Sequence, residues 1–193
     1  MKKKKSGSRG CLALILGIFL LWAGIQVLSY FVETIKYQRV TIESKEDFFK
    51  EYGPLAREIG KKYKLYPSMI LGQAALESNF GQSQLSKESH NYFGIKAQGK
   101  GGMSYATKEY ENGKKVEIQD WFETYKNPVD SFKHYGKLLG QAKRYEPVVE
   151  AQSLRQACQL LHPCGYSTDP SYGDRVLELI DQYDLETYDQ GIK

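Results

Sequence analysis

Residues 73–81 read Gln73-Ala74-Ala75-Leu76-Glu77-Ser78-Asn79-Phe80-Gly81, and what this stretch becomes decides the fold. Pro67-Ser68 opens a helix ahead of it, because proline is tolerated in a first turn whose N–H groups lack helical partners anyway. Met69 to Leu76 continues at helical length, and Gly81 supplies a stop. At helical spacing Ile70, Gln73, Ala74, Glu77 and Phe80 share one face. Glu77 therefore sits on a largely apolar face near the C-terminal end of its helix. Desolvation and the negative end of the helix dipole both disfavour a carboxylate there. A carboxylic acid that holds its proton near neutrality is what a general acid requires. The same position also suits a solvated glutamate at a frayed end, or a carboxylate paired with a buried cation.

Downstream the period changes. Asn112-Gly113 is a two-residue hairpin signal between strand-like runs from Met103 to Tyr125. That turn pairs Glu111 with Lys114, Glu109 with Val116, Thr107 with Ile118 and Tyr105 with Asp120. It also sets Lys108 opposite Glu117, a favourable cross-strand pair. Glu109 falls on the less charged side of this register and is the better hairpin candidate for a carboxylate aimed into a cleft. On its own it also reads as an ordinary strand glutamate.

The remainder is helical. Ser44-Lys45-Glu46-Asp47 resembles a helix start, Gly53-Pro54 interrupts it, and Pro54 opens a second helix through Leu55, Ile59 and Tyr63. Gln82 to Glu88 is a short helix. His90 to Lys96 is an aromatic segment containing Gly94, and Gly99 to Gly102 is a loop. Pro128 starts a helix carrying Val129, Phe132, Tyr135, Leu138 and Leu139. Short helices follow at Pro147–Ala151 and Ser153–Leu161, then a loop at Gly165–Pro170. A last helix, Tyr172 to Tyr183, turns Val176, Leu179, Ile180 and Tyr183 to the core.

Upstream, Cys11 to Val32 is an uncharged apolar run long enough to span a bilayer. Lys2, Lys3, Lys4, Lys5 and Arg9 precede it, which places the N-terminus in the cytoplasm and the rest outside. The competing reading is a signal peptide, although the run is long for one and no clear cleavage site follows. The expected organisation is a basic segment at 1–10, a transmembrane anchor at 11–32, a linker at 33–43 and a catalytic domain at 44–188. The expected location is the cell membrane, single-pass, with that domain on the outer side.

The chain has 193 residues and a formal charge of +4, but the five basic residues at its start account for all of the excess. Nothing resembles the basic face that nucleic acid needs. No H-E-x-x-H, G-x-S-x-G or phosphate loop is present, so the motifs of metalloprotease, serine hydrolase and nucleotide chemistry are missing. Cys158, His162 and Cys164 leave three readings open: a disulfide, free thiols or a partial metal site. No metal or cofactor is expected, and the sequence names no protein partner.

Five stretches now carry a family resemblance. They are Gln73-Ala74-Ala75-Leu76-Glu77-Ser78-x-x-Gly81, Asn91 to Lys96, Thr107 to Gly113, Phe122-x-x-Tyr125, and Gly165 to Pro170 with Tyr172. In this order they resemble glycoside hydrolase family 73, the bacterial glucosaminidases, over roughly residues 50 to 185. The resemblance implies an α+β, lysozyme-like fold: a mostly helical domain with a β-hairpin lobe flanking a groove. It implies hydrolysis of the β-1,4 bond after N-acetylglucosamine in peptidoglycan glycan strands. It carries the general acid onto Glu77, the second carboxylate onto Glu109 and a catalytic tyrosine onto Tyr166. Expected substrate contacts are Asn91, Tyr92, Phe93 and Tyr110, together with Trp121, Tyr125, Asp169 and Tyr172. Two departures are visible: His134 stands where some members have Asp, and Asn79-Phe80 replaces the commoner Gly-Trp. A muramidase or lytic transglycosylase on a similar fold, and a non-catalytic wall-binding scaffold, are the alternatives.

Overall fold

The computed structural model describes residues 18–32, 44–99, 101–111 and 114–192, with side chains throughout except at 108–115. The segments expected as basic tail and linker lie outside the described residues. The chain divides into two units, Met1–Arg39 and Val40–Lys193. In the first, residues 18–32 form helix α1, whose large apolar side chains, Leu21 and Phe31 among them, are exposed. Among the described residues no helix is long and apolar enough to cross a membrane. The expected anchor at 11–32 extends into residues that are not described.

The second unit begins with α2 (Lys45–Tyr63), capped by Ser44, whose hydroxyl accepts from the Asp47 N–H at 3.1 Å. The expected break at Gly53-Pro54 does not occur, and Pro54 lies inside one continuous helix. Pro54 and Lys50, whose carbonyl loses its helical donor, are both on the exposed side. Water can satisfy that carbonyl, which lowers the usual cost of an internal proline. The opposite side buries Phe48, Tyr52, Leu55 and Ile59. Each such residue contributes about 1.5–3 kcal/mol of burial.

Helix α3 (Pro67–Ser78) is the central element. Every residue from Pro67 to Ala75 is buried, so the helix has core on all sides and not on one face as its spacing implied. It ends at Ser78, three residues before Gly81. Asn79, Phe80 and Gly81 take left-handed φ values of 48°, 55° and 76° in succession. Such a φ is costly for a bulky residue. Here the Phe80 ring is buried against Phe48, Phe49 and Tyr183, which offsets the strain. At the other end Asp189, from the 3-10 segment Leu185–Asp189, accepts from the Ser68 N–H at 2.8 Å and its hydroxyl at 2.6 Å. The C-terminal segment thus caps the central helix.

After α4 (Gln84–Ser89) come β1 (Met103–Glu111) and β2 (Lys114–Phe122), an antiparallel pair. Its register joins Glu111 to Lys114, Glu109 to Val116, Thr107 to Ile118 and Lys108 to Glu117, as the Asn-Gly turn implied. Helix α5 (Pro128–Gln141) is capped by Asn127. It crosses α2 at Gly136, where a Cβ would lie 2.4 Å from Ile59 Cγ2. A 3-10 turn (Lys143–Tyr145), α6 (Glu146–Val149), α7 (Leu154–Leu160) and α8 (Tyr172–Gln182) complete the unit. Cys158, buried in α7, and the half-buried Cys164 are both free thiols. Burial pushes the Cys158 thiol up to about 12. Among the described residues no group of three His, Cys, Asp or Glu could hold a metal ion. The fold is thus mostly helical with one small antiparallel hairpin.

Candidate active site

Glu77 is the penultimate residue of α3 and half-buried, at the point where the central helix reaches the surface. It lines a cleft of about 1040 Å³, whose walls come from Tyr105 to Thr107 of the hairpin, His134 of α5 and the 165–169 loop. That volume is large enough for several sugar rings.

Two elements meet Glu77. From α8, the Tyr172 hydroxyl donates to Glu77 Oε1 at 2.7 Å. The same hydroxyl accepts from Gln73 Nε2 at 3.2 Å, and Gln73 Oε1 accepts from the Tyr135 hydroxyl of α5. Gln73 is fully buried within α3, and both ends of its amide are occupied by these two tyrosines. Burial and, second, the charge of Glu77 hold the Tyr172 phenol well above its ordinary value, so it remains a donor. From the loop, Gly94 has φ +61°, and a Cβ there would lie 3.3 Å from Glu77 Oε2. Only glycine allows both that backbone and that approach without strain.

The loop itself is built by Asn91. Its side chain is fully buried, with Nδ2 donating to the carbonyls of Ile95 at 2.9 Å and Glu123 at 3.0 Å. Its Oδ1 accepts from the N–H groups of Phe93 and Ile95. Asn91, expected to touch substrate, is therefore the internal tie of the loop that carries Gly94. Tyr92, also expected at the groove, lies in the core with its hydroxyl on Tyr52 and its ring against Phe48 and Phe132. Phe93 does line the cleft, and its ring stacks on Tyr135 at 4.0 Å.

The two tyrosines of the last motif sit differently from the expectation. Tyr166 lines the cleft, but its hydroxyl donates to the Phe93 carbonyl at 2.9 Å, and the tyrosine on Glu77 is Tyr172. Asp169 lines the cleft as well. Its carboxylate accepts from Ser171 N–H and hydroxyl and pairs with Arg175 at 2.9 Å. Burial opposes its ionisation, but the bonds from Ser171 and Arg175 prevail and hold its carboxyl below the usual range. Asp169 thereby anchors the start of the helix that carries Tyr172.

Trp121 and Tyr125 are half-buried and do not contribute to the cleft lining. The Tyr125 hydroxyl bonds His134 Nδ1 at 2.7 Å, and His134 reaches the cleft in its place. Glu109 and Tyr110 have defined strand backbone, but their side chains are not described. Glu123, not singled out from the sequence, lines the cleft at the foot of β2. Its position one residue after Phe122, at the end of the strand, was the available signal.

A carboxyl group held by a phenol in a sugar-sized cleft is equipped for proton donation to a bound oxygen. Comparison with known proteins agrees with that chemistry. The family model Glucosaminidase, described as mannosyl-glycoprotein endo-beta-N-acetylglucosaminidase, matches residues 53–185. The exo-glucosaminidase LytG of Bacillus subtilis is 33% identical over 155 residues, covering 77% of this chain and 55% of that protein. The peptidoglycan hydrolase FlgJ of Escherichia coli K12 is 40% identical over 121 residues, covering 59% of this chain and 39% of that one. The chain thus spans about half or less of the length of these relatives. The crystal structure of the catalytic domain of the autolysin Auto from Listeria monocytogenes superposes with a TM-score of 0.64 at 31% identity. It covers 78% of this chain and 90% of that domain.

Proposed function

Because the chain belongs to the glucosaminidase family of glycoside hydrolases, family 73, we propose that it is a peptidoglycan hydrolase cleaving the β-1,4 bond after N-acetylglucosamine within glycan strands. The observation that carries this reading is the hydrogen bond from Tyr172 to Glu77 Oε1 inside the cleft. With Oε1 engaged, Oε2 on the Gly94 side is the oxygen placed to deliver a proton to the glycosidic oxygen. Cleavage leaves positive charge on the sugar ring, and a second group must stabilise it or direct water to it. We assign that role to Glu109 of the hairpin, whose register with Val116 supports a position on the less charged strand side.

The proposal includes attachment to the cell membrane through residues 11–32, with the N-terminus inside and the hydrolase unit facing the wall. The uncharged run, the lysines before it and the exposed apolar side chains of α1 support this. The enzyme then works on glycan close to the membrane.

Mass spectrometry of digested wall tests the reading. New reducing ends on N-acetylglucosamine support it. Reducing N-acetylmuramic acid or its anhydro form would assign the cleft to a muramidase or a transglycosylase instead, and fragment sizes separate internal from terminal cleavage.

A further inference from the structure

Three acidic side chains among the described residues line the cleft: Glu77, Glu123 and Asp169. Glu77 is engaged by Tyr172, and Asp169 by Ser171 and Arg175. The Glu123 carboxylate takes no hydrogen bond or ion pair from any described residue, and the nearby Lys96 pairs with Asp120 at 2.8 Å. Yet its backbone is pinned on both sides. The Glu123 N–H donates to the Ile95 carbonyl at 2.9 Å, and its carbonyl accepts from the buried Asn91 side chain at 3.0 Å. Ile95 directly follows Gly94, which packs against Glu77. Glu123 is thus rooted at the foot of the hairpin, tied to the loop whose Gly94 packs against the acid. Glu109 sits opposite Val116, seven residues further along β2, roughly 23 Å of extended strand.

We propose that Glu123 is a substrate-positioning carboxylate, accepting hydrogen bonds from the hydroxyl or acetamido N–H groups of the sugar bound beside Glu77. This rests on the reading of the cleft as a glycan site. An ionised carboxylate is an acceptor with about four lone-pair sites, and an N-acetylated sugar presents several donors. A preorganised acceptor beside the acid fixes the sugar against it, and orientation of this kind is a main source of rate in such sites. Glu123 then seats the sugar at the hairpin's foot, and Glu109 lies nearer its tip.

The test measures chitooligosaccharide and soluble peptidoglycan strands binding to the E77Q protein, where no turnover confuses the result. Adding E123A is expected to weaken binding about ten-fold, the size of one hydrogen bond to a charged group. E123Q, which keeps one acceptor oxygen, is expected to lose less. In the protein with Glu77 intact, E123A is expected to raise KM by more than it lowers kcat. Equal affinities of E77Q and E77Q/E123A, with unchanged thermal unfolding, would overturn the proposal, as would a collapse of kcat at constant KM. If E77Q binds neither glycan, the reading of the cleft itself fails, and this proposal with it.

Discussion

The Tyr172 hydroxyl donates to Glu77 Oε1 at 2.7 Å while accepting from Gln73 at 3.2 Å, so one phenol joins the buried side of α3 to the acid at its end. The Gln73 amide, whose oxygen accepts from Tyr135 while its N–H donates to Tyr172, leaves this hydroxyl a single direction in which to donate. Tyr172→Phe keeps the ring and removes that bond. Activity on peptidoglycan is expected to fall about ten-fold or more in kcat, with KM changed little and the circular dichroism spectrum unchanged. Wild-type kcat in this variant would remove Tyr172 from the account.

Gly94 faces the other carboxylate oxygen. Gly94→Ala places a methyl group 3.3 Å from Glu77 Oε2 on a backbone with φ +61°. The expected result is a loss of about 1 kcal/mol of stability together with reduced hydrolysis. Denaturant unfolding and muropeptide release measure the two effects. A variant of equal stability and activity would show that the loop yields freely.

Asp169 gives a pH signature. Its carboxyl is held below the ordinary value of 3.8, so its stabilising contribution is present above that value and is lost as pH falls through the lower folded one. Asp169→Asn is expected to cost about 1 kcal/mol at neutral pH and nothing in strong acid, where the wild-type group is protonated too. Thermal unfolding across that range checks the convergence.

The two thiols are expected to differ. Cys158 is fully buried and its thiol is pushed up to about 12, whereas Cys164 is half-buried. In protein carrying Cys11→Ser, a thiol reagent is expected to label Cys164 in the native state and Cys158 only after unfolding. Peptide mapping reads the sites. A bridged pair would give no labelling at either cysteine, even in denaturant without reductant.

The hairpin register was legible because an Asn-Gly turn fixes pairing locally. The place of Glu77 near the end of α3 was legible because a proline start and a nearby stop are also local signals, whereas the one-sided face implied by spacing was not found. What escaped the sequence reading depended on where water lies and on contacts far along the chain. Pro54 continues α2 because its lost hydrogen bond faces solvent. Asn91 and Tyr92 look like surface recognition residues but are internal ties, since a buried amide and a buried phenol can be satisfied by backbone and by Tyr52. Tyr166 and Tyr172 belong to one motif, and only the packing of α8 on α3 decides which reaches Glu77. Glu123 carries no motif of its own and acquires meaning only from its neighbours across the loop.

The most direct measurement is the release of soluble muropeptides from purified peptidoglycan by the wild-type protein and by Glu77→Gln, at matched concentration and with matched unfolding curves. If Glu77 is the acid, steady release is expected from the first and none above background from the second. Equal release by both proteins would contradict that assignment and place the chemistry on another group.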